Sequence, residues 1–319
     1  MGNDEKEINN LLQNLRERFE IKIDKEPKTF LGIEITFKRN EIRLHQGQYA
    51  SKILETYRMD EAKPVRAPLE IGRDNTMPKE NTTYPYREAI GSLLYLSSKT
   101  RPDLAFATSY GSRHIMNTKE NDVKDVKRMF RYIKGTLEEG IKYENEAPEN
   151  KITAYCDADF GGDPENRKST TGYVILYGGG PITWCSRRQS TVALSTTEAE
   201  YVAAAECCKE LLYFRSLIEE LTSCELVIDL NIDNQSAITL INNGVVNRRS
   251  KHIDVKYHFV HELAKQKRIN VRYCNTEVQY ADIFTKALNS YKFNTCKAEI
   301  MFTNDNDLNV NFRKIKGEC

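Results

Sequence analysis

The hydrophobic pattern of this 319-residue chain changes character at one polar segment, Glu144-Asn-Glu-Ala-Pro-Glu-Asn150. The segment has almost no apolar content and contains proline, which is typical of a linker. Before it, apolar residues recur mainly at helical spacing; after it, three consecutive strand patterns precede alternating helices and strands. The sequence therefore predicts a mostly helical region over 1–143, an α/β (α+β) domain with a mixed sheet flanked by helices over 151–290, and a polar tail over 291–319.

The element pattern is explicit enough to be tested residue by residue. In the first half it predicts a hairpin with strands starting at 30 and 42, and helices over 4–19, 48–57, 86–96, 104–113 and 123–134. In the second half it predicts strands over 152–156, 171–177, 181–184, 226–232 and 269–273. The helices predicted there cover 197–221, 235–242, 252–265 and 280–288. Trp184, the only tryptophan, is expected in the core on the third strand.

Composition excludes several classes of protein. The chain has 39% hydrophobic residues, and 47 basic against 46 acidic residues leave a net charge of only +1, whereas disorder needs low hydrophobicity and high net charge. No run of about 18 apolar residues could span a bilayer, and the first residues show no signal or transit pattern. The eight cysteines have no zinc-ligand spacing. These features predict an intracellular protein with reduced thiols, without a membrane partner.

Four acidic residues stand where a mixed sheet concentrates its chemistry. Asp157 is predicted to end the first strand, Glu200 lies early in the long helix, Asp233 ends the fourth strand and Asp282 opens the last helix. Ligands collect at the carboxyl ends of strands in α/β sheets. Carboxylates gathered there repel one another and need a hard cation such as Mg²⁺. Two such ions can activate a water and stabilise the leaving oxygen of a phosphodiester.

The sequence segments around these acids are more specific than the order of the acids along the chain. They resemble the ribonuclease H domain of copia-type retrotransposon Pol polyproteins. The segments that carry this resemblance are Tyr155-Cys-Asp-Ala-Asp-Phe-Gly-Gly-Asp163, Arg167-Lys-Ser-Thr-Thr-Gly-Tyr173, Val192-Ala-Leu-Ser-Thr-Thr-Glu-Ala-Glu-Tyr201, Asp233-Asn-Gln-Ser-Ala237, Arg249-Ser-Lys-His-Ile-Asp254 and Ala281-Asp-Ile-Phe-Thr-Lys286.

The first half resembles the end of the reverse transcriptase of the same family, after its catalytic strand. The resemblance rests on Phe30-Leu-Gly-Ile-Glu-Ile35, Ile90-Gly-Ser-Leu-Leu-Tyr-Leu96, Thr100-Arg-Pro-Asp103 and Arg131-Tyr-Ile-Lys-Gly-Thr136. It implies the end of the palm and thumb-like helices in front of a ribonuclease H-like domain.

The resemblance also implies a function. The expected reaction is endonucleolytic cleavage of the RNA strand of an RNA–DNA hybrid, with two Mg²⁺ ions, for which Mn²⁺ is expected to substitute. The catalytic residues and metal ligands would be Asp157, Glu200, Asp233 and Asp282. The expected partners are the hybrid and the rest of the Pol polyprotein, and the expected location is the cytoplasm, in a virus-like particle, and/or the nucleus.

Two departures from the family pattern limit this expectation. Polymerase chemistry in the family needs a paired Asp-Asp, and no adjacent Asp-Asp occurs in this chain, which predicts no polymerase activity. Cellular ribonucleases H carry a histidine before the last aspartate, but residues 274–279 contain none, which predicts slow turnover. A rival interpretation is a domesticated or relic nucleic-acid-binding module without catalysis.

Some choices stay open within the motifs. Asp157 ends the apolar run and is favoured over Asp159, which would then be a loop or rim acid. Glu198 and Glu200 are about 200° apart on a helix, so only one of them can face the metal. The Ala-Glu-x-x-Ala pattern of the family favours Glu200.

Basic residues form two further groups. One is a stripe at helical spacing, hereafter the basic stripe: Lys124, Lys127, Arg128, Arg131 and Lys134. The other comprises Arg248, Arg249 and Lys251. Each group is either a solvated surface or a salt-sensitive contact to nucleic-acid phosphates. The nearby His252, His258 and His261 are interpreted as ordinary packed or solvated histidines.

Overall fold

Two β-sheets organise the chain in the computed structural model, which describes residues 5–24, 26–72, 83–148, 150–244 and 251–303. The first sheet lies in the first half and has four antiparallel strands in chain order. Its strands are β1 Thr29–Phe30, β2 Ile33–Phe37, β3 Glu41–His45 and β4 Ile141–Glu144.

This sheet confirms the predicted hairpin and corrects two details. The strand predicted to start at residue 30 is interrupted because Leu31 and Gly32 both have positive φ, 48° and 75°, so that the chain turns there. Strand β4 was not predicted, because its four residues are too few to show a strand period. Instead Tyr143 pairs with Ile42, and the polar segment begins only at the last residue of β4.

All five helices predicted in the first half are present. They are α1 Glu5–Arg18, α2 Gly47–Thr56, α3 Tyr86–Lys99, α4 Ala105–Ser112 and α5 Glu120–Lys134. Helix α5 begins earlier than predicted because the Asp122 carboxylate accepts the backbone N–H of Lys119 at 2.5 Å, which caps the helix.

A buried ion pair fastens these helices together. Arg101 donates two hydrogen bonds to Asp103, at 2.9 and 2.7 Å, and two more to the carbonyl and hydroxyl of Thr136. Tyr132 donates its hydroxyl to Asp103 at 2.6 Å. Two of the sequence motifs that carry the resemblance therefore meet in one buried network and have a structural role here.

The second sheet confirms the predicted mixed topology. Its strands lie in the order β7-β6-β5-β8-β9, in which β5, β6 and β7 are antiparallel neighbours, whereas β8 runs parallel to β5 and β9 runs parallel to β8. The strands are β5 Lys151–Asp159, β6 Thr170–Tyr177, β7 Gly180–Arg188, β8 Val227–Ile232 and β9 Asn270–Tyr273. Strand β5 extends beyond its predicted end, so Asp157 lies inside the strand.

Three helices flank this sheet: α6 Thr196–Thr222, α7 Gln235–Asn243 and α8 Lys251–Lys265. Helix α6 packs against β5 through small buried residues, among them Ala205 and Cys208, and Tyr201 is buried with them. No helix in the described part of the chain is long and apolar enough to cross a membrane. The seven cysteines that the structure describes form no disulfide.

The end of the described chain corrects two predictions. The helix predicted over 280–288 is a short 3₁₀ segment, Tyr280–Phe284, and the residues predicted as a polar tail include α9, Ser290–Ile300. Helix α9 was missed because Lys297 interrupts the apolar face formed by Phe293, Cys296 and Ile300. Tertiary contacts stabilise it, since Phe293 is buried against Tyr132, and a buried Lys297 pairs with Glu139 at 2.8 Å.

The two halves are packed against each other. The core of the first half includes Val174 of β6 and Phe284 of the 3₁₀ segment, and Trp184 of β7 donates its indole N–H to the carbonyl of Ser97 at 2.9 Å. Trp184 is thus half-buried between the halves, rather than inside the sheet domain as predicted. The boundaries of the domains remain a prediction.

Candidate active site

Three of the four predicted acids converge at one point. Carboxylate oxygens of Asp157, Glu200 and Asp233 all lie within 4.8 Å of one another. They come from β5, α6 and the residue after β8, elements that are distant in sequence but adjacent around the central strand. We call these three residues the carboxylate cluster.

Strand β6 shapes the surroundings of Asp157. Gly172 of β6 pairs directly with Asp157. A Cβ atom at Gly172 would lie 2.6 Å from Cγ2 of Thr285 and 2.8 Å from Cβ of Phe284, closer than real contacts allow. Glycine is therefore required at this position, because it lets the 3₁₀ segment lie on the sheet beside Asp157. From there the Thr285 hydroxyl donates a short hydrogen bond to Asp157.

The start of α6 separates the roles of its two glutamates. Ser195 is the N-cap and accepts the backbone N–H of Glu198 at 3.1 Å, while the Glu198 carboxylate accepts the N–H of Leu194 at 2.9 Å. Glu198 therefore helps to start the helix by accepting the backbone N–H of the residue before the N-cap. Glu200, half a turn further, is buried in the carboxylate cluster. The geometry agrees with the preference for Glu200.

Asp233 follows β8, as predicted, and it does not cap the next helix. The N-cap of α7 is Asn234, whose side chain accepts the backbone N–H of Ala237 at 2.9 Å. The Asp233 carboxylate instead accepts a hydrogen bond of 3.0 Å from the hydroxyl of Thr276. Asp233 therefore does not cap a helix, and its hydrogen bond with Thr276 holds its carboxylate in the cluster.

Asp282 lies next to this cluster but in a different environment. It is 2% exposed, and its two carboxylate oxygens face two lysines: Oδ1 lies 2.7 Å from Nζ of Lys286, and Oδ2 lies 3.4 Å from Nζ of Lys292. Nζ of Lys286 also lies 3.6 Å from Oδ2 of Asp157. Asp282 is therefore linked to the cluster through a shared ammonium group.

Burial and repulsion set the electrostatics of the site. Burial raises the pKa of Glu200 well above its usual value, and the neighbouring Asp157 and Asp233 raise it further. Burial and Asp157 also raise the pKa of Asp282, against the effect of Lys286. Burial by itself would lower the pKa of Lys286, but Asp157 and Asp282 raise it above its usual value. The site therefore favours positive charge.

Asp159 lies outside the cluster. Strand side chains alternate, so Asp159 and Asp157 project from the same face of β5. The Asp159 carboxylate, however, folds over the following turn, where a Cβ atom at Gly162 would lie 1.6 Å from its Oδ2. Burial raises the pKa of Asp159. This placement agrees with its interpretation as a rim acid.

Members of the basic stripe have protein partners. Arg131 donates to the backbone carbonyl of Lys63 at 2.7 Å, and Arg128 donates to the carbonyl of Ala67 at 3.2 Å and to Glu70. Lys124 pairs with Glu120 at 2.8 Å, and Lys127 lies over the ring of Tyr84. Arg128 and Arg131 thus hold the segment 63–70 against α5. Phosphate binding by the stripe, including Lys134, remains a prediction.

Most of the second basic group lies outside the residues that the structure describes. Arg248 and Arg249 lie outside the described residues, and so do the side chains of Lys251 and His252, although α8 begins at Lys251. His258 is exposed, and Nδ1 of His261 lies 2.7 Å from the carbonyl oxygen of Ile241. The two described histidines therefore agree with the packed or solvated interpretation.

Several residues that shape the site had no predicted role. Gln279 is fully buried, donates its side-chain amide to the carbonyl of Cys156 at 2.9 Å and accepts the N–H of Ala281 at 3.2 Å. The sequence signal that could have identified them is the set of motifs that resemble the ribonuclease H domain, since these motifs contain Gly172, Thr285 and Lys286. Lys292 carried no such signal, because it lies in the segment predicted to be a tail.

Comparisons with known proteins agree with the sequence motifs. The family model "Reverse transcriptase (RNA-dependent DNA polymerase)" matches residues 1–71. Over 308 residues the chain is 36% identical to the retrovirus-related Pol polyprotein from transposon TNT 1-94 of Nicotiana tabacum, a match that covers 93% of this chain and 23% of that protein. The corresponding protein from transposon RE1 of Arabidopsis thaliana is 34% identical over 314 residues, covering 95% of this chain and 21% of that protein. The chain thus spans less than a quarter of the length of these relatives.

A solved structure is similar to part of this chain. The crystal structure of LC11 ribonuclease H1 in complex with an RNA/DNA hybrid aligns with a TM-score of 0.33 and 15% sequence identity. The alignment covers 42% of this chain and 93% of that protein.

Proposed function

Because the chain belongs to the family of copia-type retrotransposon Pol polyproteins, we propose that it hydrolyses the RNA strand of RNA–DNA hybrids with the help of a divalent cation. The observation that carries this proposal is the carboxylate cluster of Asp157, Glu200 and Asp233. Structural acids on a protein surface do not need to converge within 4.8 Å, and this convergence is costly without a cation.

The cluster fits a divalent ion. All its ligand atoms are carboxylate oxygens, which Mg²⁺ prefers, and Mn²⁺ accepts the same donors. Oε2 of Glu200 is buried and has no hydrogen-bond partner among the described residues. Such an unsatisfied buried oxygen is costly unless a cation or water completes it. When bound, a divalent ion makes a water molecule more acidic and stabilises negative charge on a phosphodiester oxygen.

The protein's own residues hold the ligands in position before an ion arrives. Thr285 fixes Asp157, and Thr276 fixes Asp233. The charge environment is different at Asp282, where a second ion is expected, since both oxygens of Asp282 already face lysines.

The remaining parts of the proposal concern the context of the chain. The absence of an adjacent Asp-Asp supports a protein that does not extend primers. Its similarity to part of much longer Pol polyproteins supports the rest of such a polyprotein as a partner. A cytoplasmic particle and/or the nucleus is the location proposed for it.

The test is a cleavage assay with the full 319-residue chain. The substrates are an RNA–DNA hybrid, duplex DNA and duplex RNA of the same sequence, each with the RNA or one strand labelled, in Mg²⁺ or in EDTA. We expect Mg²⁺-dependent cleavage of the RNA in the hybrid alone. Binding of the hybrid without cleavage in Mg²⁺ or Mn²⁺ would contradict the proposal and favour a non-catalytic module.

A further inference from the structure

The position between Asp157 and Asp282 already contains a positive charge. Nζ of Lys286 lies 2.7 Å from Oδ1 of Asp282 and 3.6 Å from Oδ2 of Asp157. An ion shared by these two aspartates would lie beside the same ammonium group. Between these two carboxylates, Lys286 therefore already supplies the positive charge that a second divalent ion would supply.

The other oxygen of Asp282 is no better placed for a metal. Oδ2 lies 3.4 Å from Nζ of Lys292, whose side chain is only 13% exposed. Lys292 is anchored there by donating to the backbone carbonyls of Thr276 and Glu277. A divalent ion at Asp282 would thus stand close to two ammonium groups, which repel it.

Two members of the carboxylate cluster, Glu200 and Asp233, have no such competitor: no ion pair joins either of them to a lysine or arginine among the residues that the structure describes. Oε2 of Glu200 and Oδ1 of Asp282 both lack a hydrogen-bond partner, but only Oδ1 of Asp282 has an ammonium group nearby, at 2.7 Å. The two parts of the site therefore differ in charge. Glu200 and Asp233 have no basic partner among the described residues, whereas Asp282 already faces two ammonium groups.

From this asymmetry we propose that Lys286 replaces the second metal ion, so that the free protein binds a single divalent ion at Asp157, Glu200 and Asp233. Lys286 then acts as a positioning residue that holds Asp157 and Asp282 together by charge. This inference rests on the proposed function for the presence of the first ion. It differs from the two-ion expectation drawn from the family resemblance.

The test measures metal stoichiometry without nucleic acid. The full chain is titrated with Mn²⁺, and bound and free ion are distinguished by electron paramagnetic resonance and by calorimetry. We expect one ion for the wild-type chain and two for Lys286→Met, with the second site strengthened by about tenfold or more, equivalent to 1.4 kcal/mol per factor of ten.

Three further variants make the result specific. Lys209→Met removes a lysine that pairs with Glu206 on the exposed side of α6, and it should leave one ion. Lys286→Arg keeps the charge and should also leave one ion. The double variant Lys286→Met/Asp282→Asn should lose the second ion again.

Two outcomes would overturn the inference: two ions of similar affinity in the wild-type chain, or one ion in a folded Lys286→Met variant. If that variant does not fold, Lys286→Gln is titrated instead, with the same expectations. Failure of the proposed function is a separate result, because it would show as no ion bound to the wild-type chain, or as one ion bound without hybrid cleavage.

Discussion

The side-chain amide of Gln279 donates to the backbone carbonyl of Cys156, and this 2.9 Å hydrogen bond joins the 3₁₀ segment to the central strand directly beside Asp157. The bond is fully buried, and the carbonyl oxygen of the same side chain accepts the N–H of Ala281. The relative position of Asp157 and Asp282 therefore depends on a residue that is not itself acidic.

Replacing Gln279 with alanine should destabilise the chain and weaken cleavage together. The change leaves the carbonyl of Cys156 and the N–H of Ala281 buried without these partners, at about 1–3 kcal/mol for each unsatisfied group. Urea unfolding measures the stability. The matched control is Gln266→Ala on the surface, which should stay within about 0.5 kcal/mol of wild type. Equal stability of the two variants would contradict the anchoring role.

The two glutamates at the start of α6 should respond differently to the same substitution. Glu198→Gln keeps an oxygen that can accept the N–H of Leu194, so cleavage and melting temperature should change little. Glu200→Gln removes a ligand charge, so Mg²⁺-dependent cleavage should be lost. Without metal, Glu200→Gln should melt at the same temperature as wild type or higher, because it removes a carboxyl group whose pKa is raised by burial and by repulsion from Asp157 and Asp233. Lost cleavage in Glu198→Gln alone would reverse the assignment.

The buried pair of Arg101 and Asp103 predicts a dependence on pH. Burial alone would raise the pKa of Asp103, but Arg101 and the Tyr132 hydroxyl hold it below its usual value. A carboxylate with a lowered pKa in the folded state stabilises the fold above its unfolded pKa, and this stabilisation is lost as the pH falls through the folded value.

Asp103→Asn should accordingly cost about 3–5 kcal/mol at pH 7, because it leaves the Arg101 charge buried without its partner. The difference from wild type in the free energy of unfolding should shrink below about pH 3.9, the usual pKa of aspartate. The control is Asp24→Asn at an exposed position. A deficit that is constant across this pH range would show that the charge of Asp103 contributes nothing.

The role of Arg131 can be decided by salt. If Arg131 only holds the segment 63–70, Arg131→Ala should lower stability by about 1 kcal/mol, the value of one hydrogen bond, and leave the salt dependence of hybrid binding unchanged. If Arg131 contacts a phosphate, the slope of log K against log salt should fall by about 0.7–0.9. Binding titrations at several salt concentrations distinguish the two.

Much of the fold was accessible from sequence because periodicity reports burial. Strands β5, β6 and β8 and helix α6 carry strong apolar patterns, and the sequence placed them within a few residues. Helix α9 could not be predicted in this way. Its buried residues Phe293, Cys296, Lys297 and Ile300 lie at helical spacing, but the lysine among them obscures the apolar period, and the helix is stabilised by contacts with distant residues such as Glu139.

The acidic residues of the site could be predicted from the sequence, but the residues that contact them could not. The order of Asp157, Glu200 and Asp233 along the chain is visible in the sequence, and the topology then brings them together. Nothing in the local sequence shows that Lys286 and Lys292 would both face Asp282, because that depends on where α9 packs. The hydrogen bond from Gln279 to Cys156 is equally invisible, since it joins residues 123 positions apart.

The most direct test of the central claim compares Asp233→Asn with the wild-type chain in one cleavage assay on a labelled RNA–DNA hybrid in Mg²⁺, with metal-free melting recorded for both proteins. The claim is that the carboxylate cluster holds the ion that hydrolysis requires. Asparagine preserves the shape of the side chain and removes its charge, and Asn234 rather than Asp233 caps α7. We expect cleavage by Asp233→Asn to be abolished, while its melting temperature is equal to that of wild type or higher. Cleavage at the wild-type rate by Asp233→Asn would contradict the claim.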